Sequence, residues 1–527
     1  MRDPVGSLKA MLEAVRQAPS SEELERLLAL LESLAVDPTA VAVLPPELRR
    51  RIVVASGRIS RPDRDELRRS ARGMRKLRRF DMKLQDQEAR AATGIREARV
   101  DPVFTAPPEI PGDGTPRLGP ELKTARACYV CKTEFRRQHF FYDAMCPECG
   151  EFNYVKRFQT ASLEGRVALV TGARVKIGFQ TALKLLRAGA RVIATTRFPH
   201  DAAQRYAKEP DFQDWKDRLR VYGIDLRHSP SVEVLCRHLL AVEKRLDVLV
   251  NNACQTVRRP PGWHAHLLDR ELAPLSALPA PEAELLSGWE QAKASLSGPV
   301  HGPAQDPAAP AQFGLTSWHG GGPGLGLRES ARLSLIPYDY DDASLGREVF
   351  PAGALDADLQ QVDLRSVNSW RLKLADVPTA ELLEILLVNA VAPFVLNARL
   401  KPLLLRDRSV PRFVINVSAM EGIFSRGTKT DRHPHTNMAK AALNMLTLTA
   451  ARDYALDGVY MNAVDTGWVT DEDPAALAAR KVSDHDFQPP LDIVDGAARL
   501  CDPVFTGLKA AEPVFGKFLK DYRVAPW

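Results

Sequence analysis

The sequence predicts an α/β fold, a doubly wound sheet of parallel strands preceded by a helical region and a small zinc-ribbon-like module. Three observations carry this prediction. The runs VALVTG, RVIATT, LRVYGID and LDVLVNNA are short, unbroken and rich in Val, Ile and Leu, as strands buried on both faces of a parallel sheet are. The helical pattern TALKLLRAGA separates the first two, and successive β-α-β steps wind such a sheet. Two C-x2-C pairs stand upstream of it, a spacing suited to a metal knuckle.

Composition fits a globular chain. The 527 residues are 45% hydrophobic and 26% charged, with a net charge of +6, enough length for several domains. That charge is too mild to indicate nucleic acid by itself, but Arg is dense from Arg49 to Arg99. We see no run near the roughly 18 apolar residues that cross a bilayer, and MRDPVGSLKAMLEAVRQ lacks the apolar stretch of a signal peptide. The expectation is a cytoplasmic protein without membrane contact. Thiols stay reduced there, so four clustered cysteines suggest metal before disulfide.

The elements follow in order. Residues 1–100 read as helical and partly basic. Leu24, Leu27, Leu28, Leu30 and Leu31 recur at helical spacing behind Ser20 and Ser21, with Glu23 placed to complete a cap. Residues 61–99 carry many charges and few apolar groups, a solvated basic face or a surface for nucleic acid or protein. A Pro-rich linker spans 101–123 and the cysteine module 124–158. The sheet domain covers 160–527, with an insertion at about 260–377. Within it, SGPVHGPAQDPAAPAQFG and WHGGGPGLG are poor in core residues and expected to be mobile, whereas IPYDYDD and LQQVDLRSVNSW suggest an ordered lid. The fold resumes with the helix ELLEILLVNAVAPFVLNARL, the strand FVINVS, the helix AALNMLTLTAARDYA and the strand VYMNAV.

Cys128 and Cys131, with Cys146 and Cys149, can place four thiolates around one tetrahedral Zn ion. Four protein ligands leave no open position, so the zinc is read as structural; docking of a partner is the second reading. His139 lies between the pairs and is read as a bystander. In the sheet domain, TGARVKIG follows a buried strand and opens a helix, as a phosphate-binding turn requires. Gly172 permits the tight turn, Gly178 close packing of helix on strand, and the helix N-terminus offers N–H groups to a pyrophosphate.

With these residues in hand, the chain resembles the short-chain dehydrogenase/reductase family, whose turn reads T-G-x-x-x-G-x-G and whose fold is a Rossmann sheet. Asp225-Leu226 is similar to the adenine-contacting end of that family's third strand, Asn251-Asn252-Ala253-Cys254 to its N-N-A-G, Asn389 to its relay asparagine, Asn416-Val417-Ser418-Ala419 to its N-x-S-S, and Thr466-Gly467 to its P-G beside the nicotinamide. The resemblance covers about Leu163–Gln255 and Glu381–Trp527. It implies hydride transfer between a nicotinamide and a small carbonyl or alcohol substrate, Lys440 on the nicotinamide ribose, and a homo-oligomer. Ile177 and Lys176 complete the cofactor turn. The second strand ends in Thr195-Thr196-Arg197 with no acid, and Arg174 and Lys176 sit in the turn. Cations there suit a 2′-phosphate, so NADP(H) is expected over NAD(H).

The pattern also breaks. Lys176 replaces the family's middle glycine, which implies a remodelled turn. Thr436 stands where Y-x-x-x-K places Tyr, and Ala419 where it places the second Ser, leaving Asn389, Ser418, Thr436 and Lys440 as catalytic candidates. An aliphatic hydroxyl is a poor proton donor beside a phenol titrating near pH ~10. His433, His435 or Glu421 could supply the acid instead, or the chain could be a silent NADP(H)-binding sensor or adaptor. Arg258, Arg259 and Trp263 would stand near the nicotinamide, and Cys254 reads as a packing residue.

Overall fold

The computed structural model describes residues 19–112, 115–296, 323–337, 345–346 and 348–527. The chain divides into two compact units, Met1–Glu88 and Ala89–Trp527, twelve residues before the boundary drawn from sequence. In the first unit the helix Ser21–Val36 opens with a reciprocal cap, Ser20 accepting from the Glu23 N–H and Glu23 from the Ser20 N–H. Neither this helix nor Pro46–Ser60 buries a single residue. The Ser20 cap and the Arg26–Glu22 pair support the first of them, and Leu24, Leu27, Leu28, Leu30 and Leu48 are exposed.

In the second unit an eight-stranded sheet forms the centre. Its strands are β3 (Val167–Thr171), β4 (Arg191–Thr196), β5 (Leu219–Gly223), β6 (Val248–Asn251), β7 (Arg412–Ser418), β8 (Val459–Asp465), β9 (Phe518–Lys520) and β10 (Arg523–Ala525). The order is β10-β9-β8-β7-β6-β3-β4-β5, parallel from β5 through β9, with β10 antiparallel at the edge. The strands are nearly all buried along their length because helices flank the sheet: Lys176–Arg187 packs on Ile493–Gly507, and Ser229–Val242 on Ala392–Leu404. This is the Rossmann α/β fold. The order reverses between β3 and β6, and a crevice opens at such a switch point beyond the carboxyl ends of the strands.

The cysteine module pairs β1 (Leu118–Ala127) with β2 (Glu134–His139) in an antiparallel ribbon, followed by the helix Pro147–Phe158. β1 begins inside the stretch read as linker. Leu122, Phe141, Tyr142 and Met145 share one apolar cluster with Val469, Leu491 and Ile493 of the sheet domain. Charges fasten the same seam: Arg157 pairs with Asp492 at 2.6 Å and Asp495 at 3.2 Å, and Arg499 donates to Asn153 at 2.7 Å. The module is therefore continuous with the sheet domain.

The structure adds one feature and corrects one expectation. The described part of the insertion is packed: it forms the helices Pro261–Glu271, Ala280–Leu285 and Ser287–Ser295, and Leu285, Leu286, Trp289 and Leu327 join the main core. Trp289 Nε1 donates to Leu327 O at 2.9 Å. Its isolated large apolar residues, diluted among Pro and polar groups, gave no periodic signal. The stretch at 297–314, the first five residues of WHGGGPGLG and most of IPYDYDD lie outside the described residues. Second, Thr379–Leu404 is long and apolar enough to cross a membrane. Ala392, Leu396, Leu400, Leu403 and Leu404 of that helix sit in the sheet core.

Candidate active site at the switch point

A cavity of about 1280 Å³ opens over the carboxyl ends of the strands, larger than a site for one small ligand needs. Its floor is the glycine turn. Gly172 has φ +66, and a Cβ there would lie 2.8 Å from Ala253 Cα. At Gly178 a Cβ would meet Gly172 O at 2.3 Å and Asn252 Nδ2 at 2.4 Å. Asn252 Nδ2 bonds the Thr171 and Gly172 carbonyls at 3.0 and 3.2 Å, and the Ala253 N–H donates to Thr171 Oγ1 at 3.0 Å. These residues thus hold the turn against β6.

Lys176 does not remodel the turn. It takes φ +54, the left-handed conformation a glycine would supply, and its ammonium lies 3.9 Å from Asp358 of the insertion. Ile177 lines the cavity and packs against the cysteine module's cluster.

Arginines gather at the end of β4. Arg174 pairs with Asp201 at 2.7 Å, and Arg227 pairs with Asp225 at 2.6 Å and with Glu384. Burial opposes ionisation of Asp225, but Arg227 outweighs it and holds the carboxyl below its usual range. Asp225 and Leu226 both line the cavity, the Asp225 carboxylate paired with Arg227. Arg197 stands apart: its close contacts are the Ser334 hydroxyl at 3.1 Å and the Phe198 ring, and no salt bridge to it occurs among the described residues. Burial, with the charges of Arg227 and Arg174, pulls it down to about 10. Nearby, Thr195 Oγ1 and Trp263 Nε1 are buried without a hydrogen-bond partner and their residues line the cavity.

The catalytic candidates separate. Lys440 lines the cavity and donates to Val417 O at 2.7 Å. Asn389 sits in a π-helical turn, Leu387–Val391, an irregularity common at functional sites. Its carboxamide exchanges two hydrogen bonds with the Gln255 backbone, so it positions the loop after β6. Ser418 gives its hydroxyl to Asn444 at 2.5 Å. Thr436 is not part of the cavity: it is buried, with Oγ1 unpaired, and Asn437 lines the cavity in its stead. His435 is likewise enclosed, 3.5 Å from Glu381. His433 does line the cavity, stacked on Trp370 at 3.9 Å with Nδ1 facing Trp370 O at 3.0 Å. Cys254 is exposed rather than packed, because the loop after β6 lies along the cavity wall.

Arg258, Arg259 and Trp263 line the cavity, with Arg259 paired to Asp363 of the insertion. The segment Asp356–Asp363 borders the opening, as its ordered reading suggested. Thr466 and Gly467 are present too, Gly467 at φ +77 with its N–H on Asp465 at 2.9 Å.

Sequence reasoning missed four residues here: Tyr129 and Lys132 from the cysteine knuckle, Asp465 from β8 and Lys520 from β9. Tyr129 accepts a hydrogen bond from the Trp468 N–H at 3.0 Å, so the knuckle touches the cavity-lining loop that follows β8. Only the strand-end place of Asp465 was readable in advance. The four knuckle sulfurs lie within 4.8 Å of one another, a spacing that one tetrahedral ion would bridge. His139 is not among them and pairs with Glu151 at 3.0 Å.

The short chain dehydrogenase family model matches residues 166–266. An uncharacterized protein of Acanthamoeba polyphaga mimivirus is 31% identical over 393 residues, covering 72% of this chain and 71% of its own length. Retinol dehydrogenase 13 of Mus musculus is 36% identical over 103 residues, 20% of this chain and 30% of that protein. This chain thus aligns with under a third of that dehydrogenase. An NADPH-bound carbonyl reductase from chicken fatty liver is 15% identical at a TM-score of 0.41, covering 69% of this chain and all of its own. The family model matches the strand-turn-helix where the sheet order reverses, and the chain covers 71% of a relative 31% identical to it: the chain belongs to the short-chain dehydrogenase/reductase family.

Proposed function

We propose that the protein is an NADP(H)-dependent oxidoreductase acting on a small carbonyl or alcohol substrate. The observation that carries the cofactor is Arg197, a cation in the cavity wall that faces a hydroxyl and an aromatic ring where its neighbours Arg174 and Arg227 have carboxylates. A 2′-phosphate would complete it with charge-assisted bonds, and no acid at the end of β4 opposes that phosphate. The nicotinamide would supply or accept the hydride. The chain's own residues would grip it: Gly172 to Gly178 the pyrophosphate, Lys440 the ribose, and Thr466 and Gly467 the carboxamide side.

Zinc on Cys128, Cys131, Cys146 and Cys149 is proposed as structural, since all four positions are taken by protein and the module's core is shared with the cofactor-side loop. We further place the protein in the cytoplasm as a homo-oligomer.

Fluorescence titration with NADPH and NADH tests the reading. Wild type should prefer NADPH, and Arg197→Ala should lose about 10- to 100-fold for NADPH with little change for NADH, the scale of one or two charge-assisted hydrogen bonds. Equal binding of both nucleotides by wild type and variant would remove the assignment. A panel of aldehydes, ketones and alcohols, retinal and retinol included on the strength of the named relatives, then tests turnover. The absence of Thr436 from the cavity favours one second reading, an NADP(H)-binding adaptor without turnover; binding with no turnover across the panel would support it.

A further inference from the structure

We propose that Asp465, held beside Lys520, is the proton donor and acceptor of this site, in place of the tyrosine that Thr436 replaces. The inference rests on the oxidoreductase reading above. Asp465 ends β8 directly opposite Ser418 at the end of β7, so its side chain emerges at the carboxyl edge of the sheet beside the loop Thr466–Gly467. It lines the cavity yet is 4% exposed. One carboxylate oxygen accepts the Gly467 N–H at 2.9 Å, and the other, Oδ2, is buried with no hydrogen-bond partner. A buried carboxylate oxygen without a donor is costly; an incoming hydroxyl, or the carboxyl's own proton shared with a carbonyl, satisfies it.

The groups that face Asp465 suit it to proton transfer. Lys520 from β9 lies 3.5 Å from Oδ2. Asp521 beside it, Glu421 after β7 and Tyr129 of the knuckle complete the charged surroundings. Burial raises the carboxyl above its usual range, Lys520 draws it back, and Asp521 and Glu421 push it up again. Among the other hydroxyls and imidazoles, the Tyr129 phenol accepts the Trp468 N–H and is pushed above its usual range by burial, with Asp465 raising it further, which makes it the weaker acid. Thr436 and His435 are enclosed, and Ser418 gives its proton to Asn444. Glu421 faces Arg426 at 3.5 Å. His433 is held neutral by burial, and its Nδ1–H faces the Trp370 carbonyl, which leaves Nε2 an acceptor.

In the reduction, the substrate carbonyl carbon gains a hydride from the dihydronicotinamide and its oxygen gains the Asp465 proton. The products are an alcohol, the oxidised cofactor and a carboxylate beside the Lys520 ammonium. Solvent returns the proton to Asp465, and oxidation runs the same steps in reverse.

The test uses the full chain with NADPH and two probes, phenanthrenequinone and retinal. Asp465→Asn keeps the acceptor for the Gly467 N–H and should bind NADPH as wild type does, while kcat falls about 100-fold or more, the usual contribution of a general acid. Lys520→Met is the second variant. Without the cation the carboxyl holds its proton to higher pH, so the alkaline limb of kcat for reduction should move upward. Asp465→Asn turning over within about 3-fold of wild type, or an unmoved alkaline limb in Lys520→Met, overturns the assignment and leaves the oxidoreductase reading intact. Wild type that binds NADPH and reduces neither probe overturns both.

Discussion

Lys176 should behave as a glycine position occupied by the wrong residue. A side chain at φ +54 costs roughly 1–2 kcal/mol in backbone strain. Its ammonium gains little in return, because Asp358 is 3.9 Å away and the Lys side chain is 31% exposed. Replacing Lys176 by Ala and, separately, by Gly removes the charge in both variants and isolates the backbone term. At an ordinary helical site Gly is about 0.5–1 kcal/mol less stable than Ala. Here the left-handed backbone reverses the sign, and Lys176→Gly should be the more stable by about 1 kcal/mol. For a unit of this size that corresponds to roughly 1–2 °C in melting temperature, read by calorimetry at one scan rate. Lys176→Ala equal to or above Lys176→Gly would mean that residue 176 is right-handed in solution, and the argument that the turn survives its lysine would fall.

Gly178→Ala should cost about 1–3 kcal/mol, since a Cβ 2.3 Å from Gly172 O pushes on backbone that cannot give; NADPH affinity should drop at least about 10-fold with it, and unchanged titration would refute the packing account. Purified protein should carry zinc by mass spectrometry, and Cys131→Ser should lower both zinc content and melting temperature. Because Tyr129 holds the Trp468 N–H, the same variant should weaken NADPH binding; unaltered binding in zinc-free protein would show that the knuckle does not support the site. Burial pushes the His139 imidazole down to about 4 despite its bond to Glu151. The unfolded chain takes up that proton near 6.5, so this residue's share of stability is present above about 6.5 and is lost as pH falls toward 4. In an NMR titration its ring signals should stay fixed between pH 7.5 and 5; a midpoint near 6.5 would contradict the burial.

The buried strands, the glycine turn and the four cysteines were legible because each is a local pattern. A buried strand is a short apolar run, a phosphate turn is a glycine spacing after one, and a metal knuckle is two paired thiols. The catalytic residues were less so. Thr436 aligned with the family's tyrosine by its distance from Lys440, yet helix spacing does not say which side chain meets the cavity, and Asn437 does. Asp225 matched a motif while Arg227, two residues on, claimed its carboxylate.

By itself the sequence determined the sheet, the cofactor turn and the cysteine knuckle, since their signals lie within single elements whose period or spacing is set by backbone geometry. Only the tertiary structure decided that the knuckle's Tyr129, the insertion's Asp356 and Gln360, and Asp465 with Lys520 meet at one cavity. These residues are hundreds of positions apart, and no local propensity records the crossovers and shared apolar seam that bring them together.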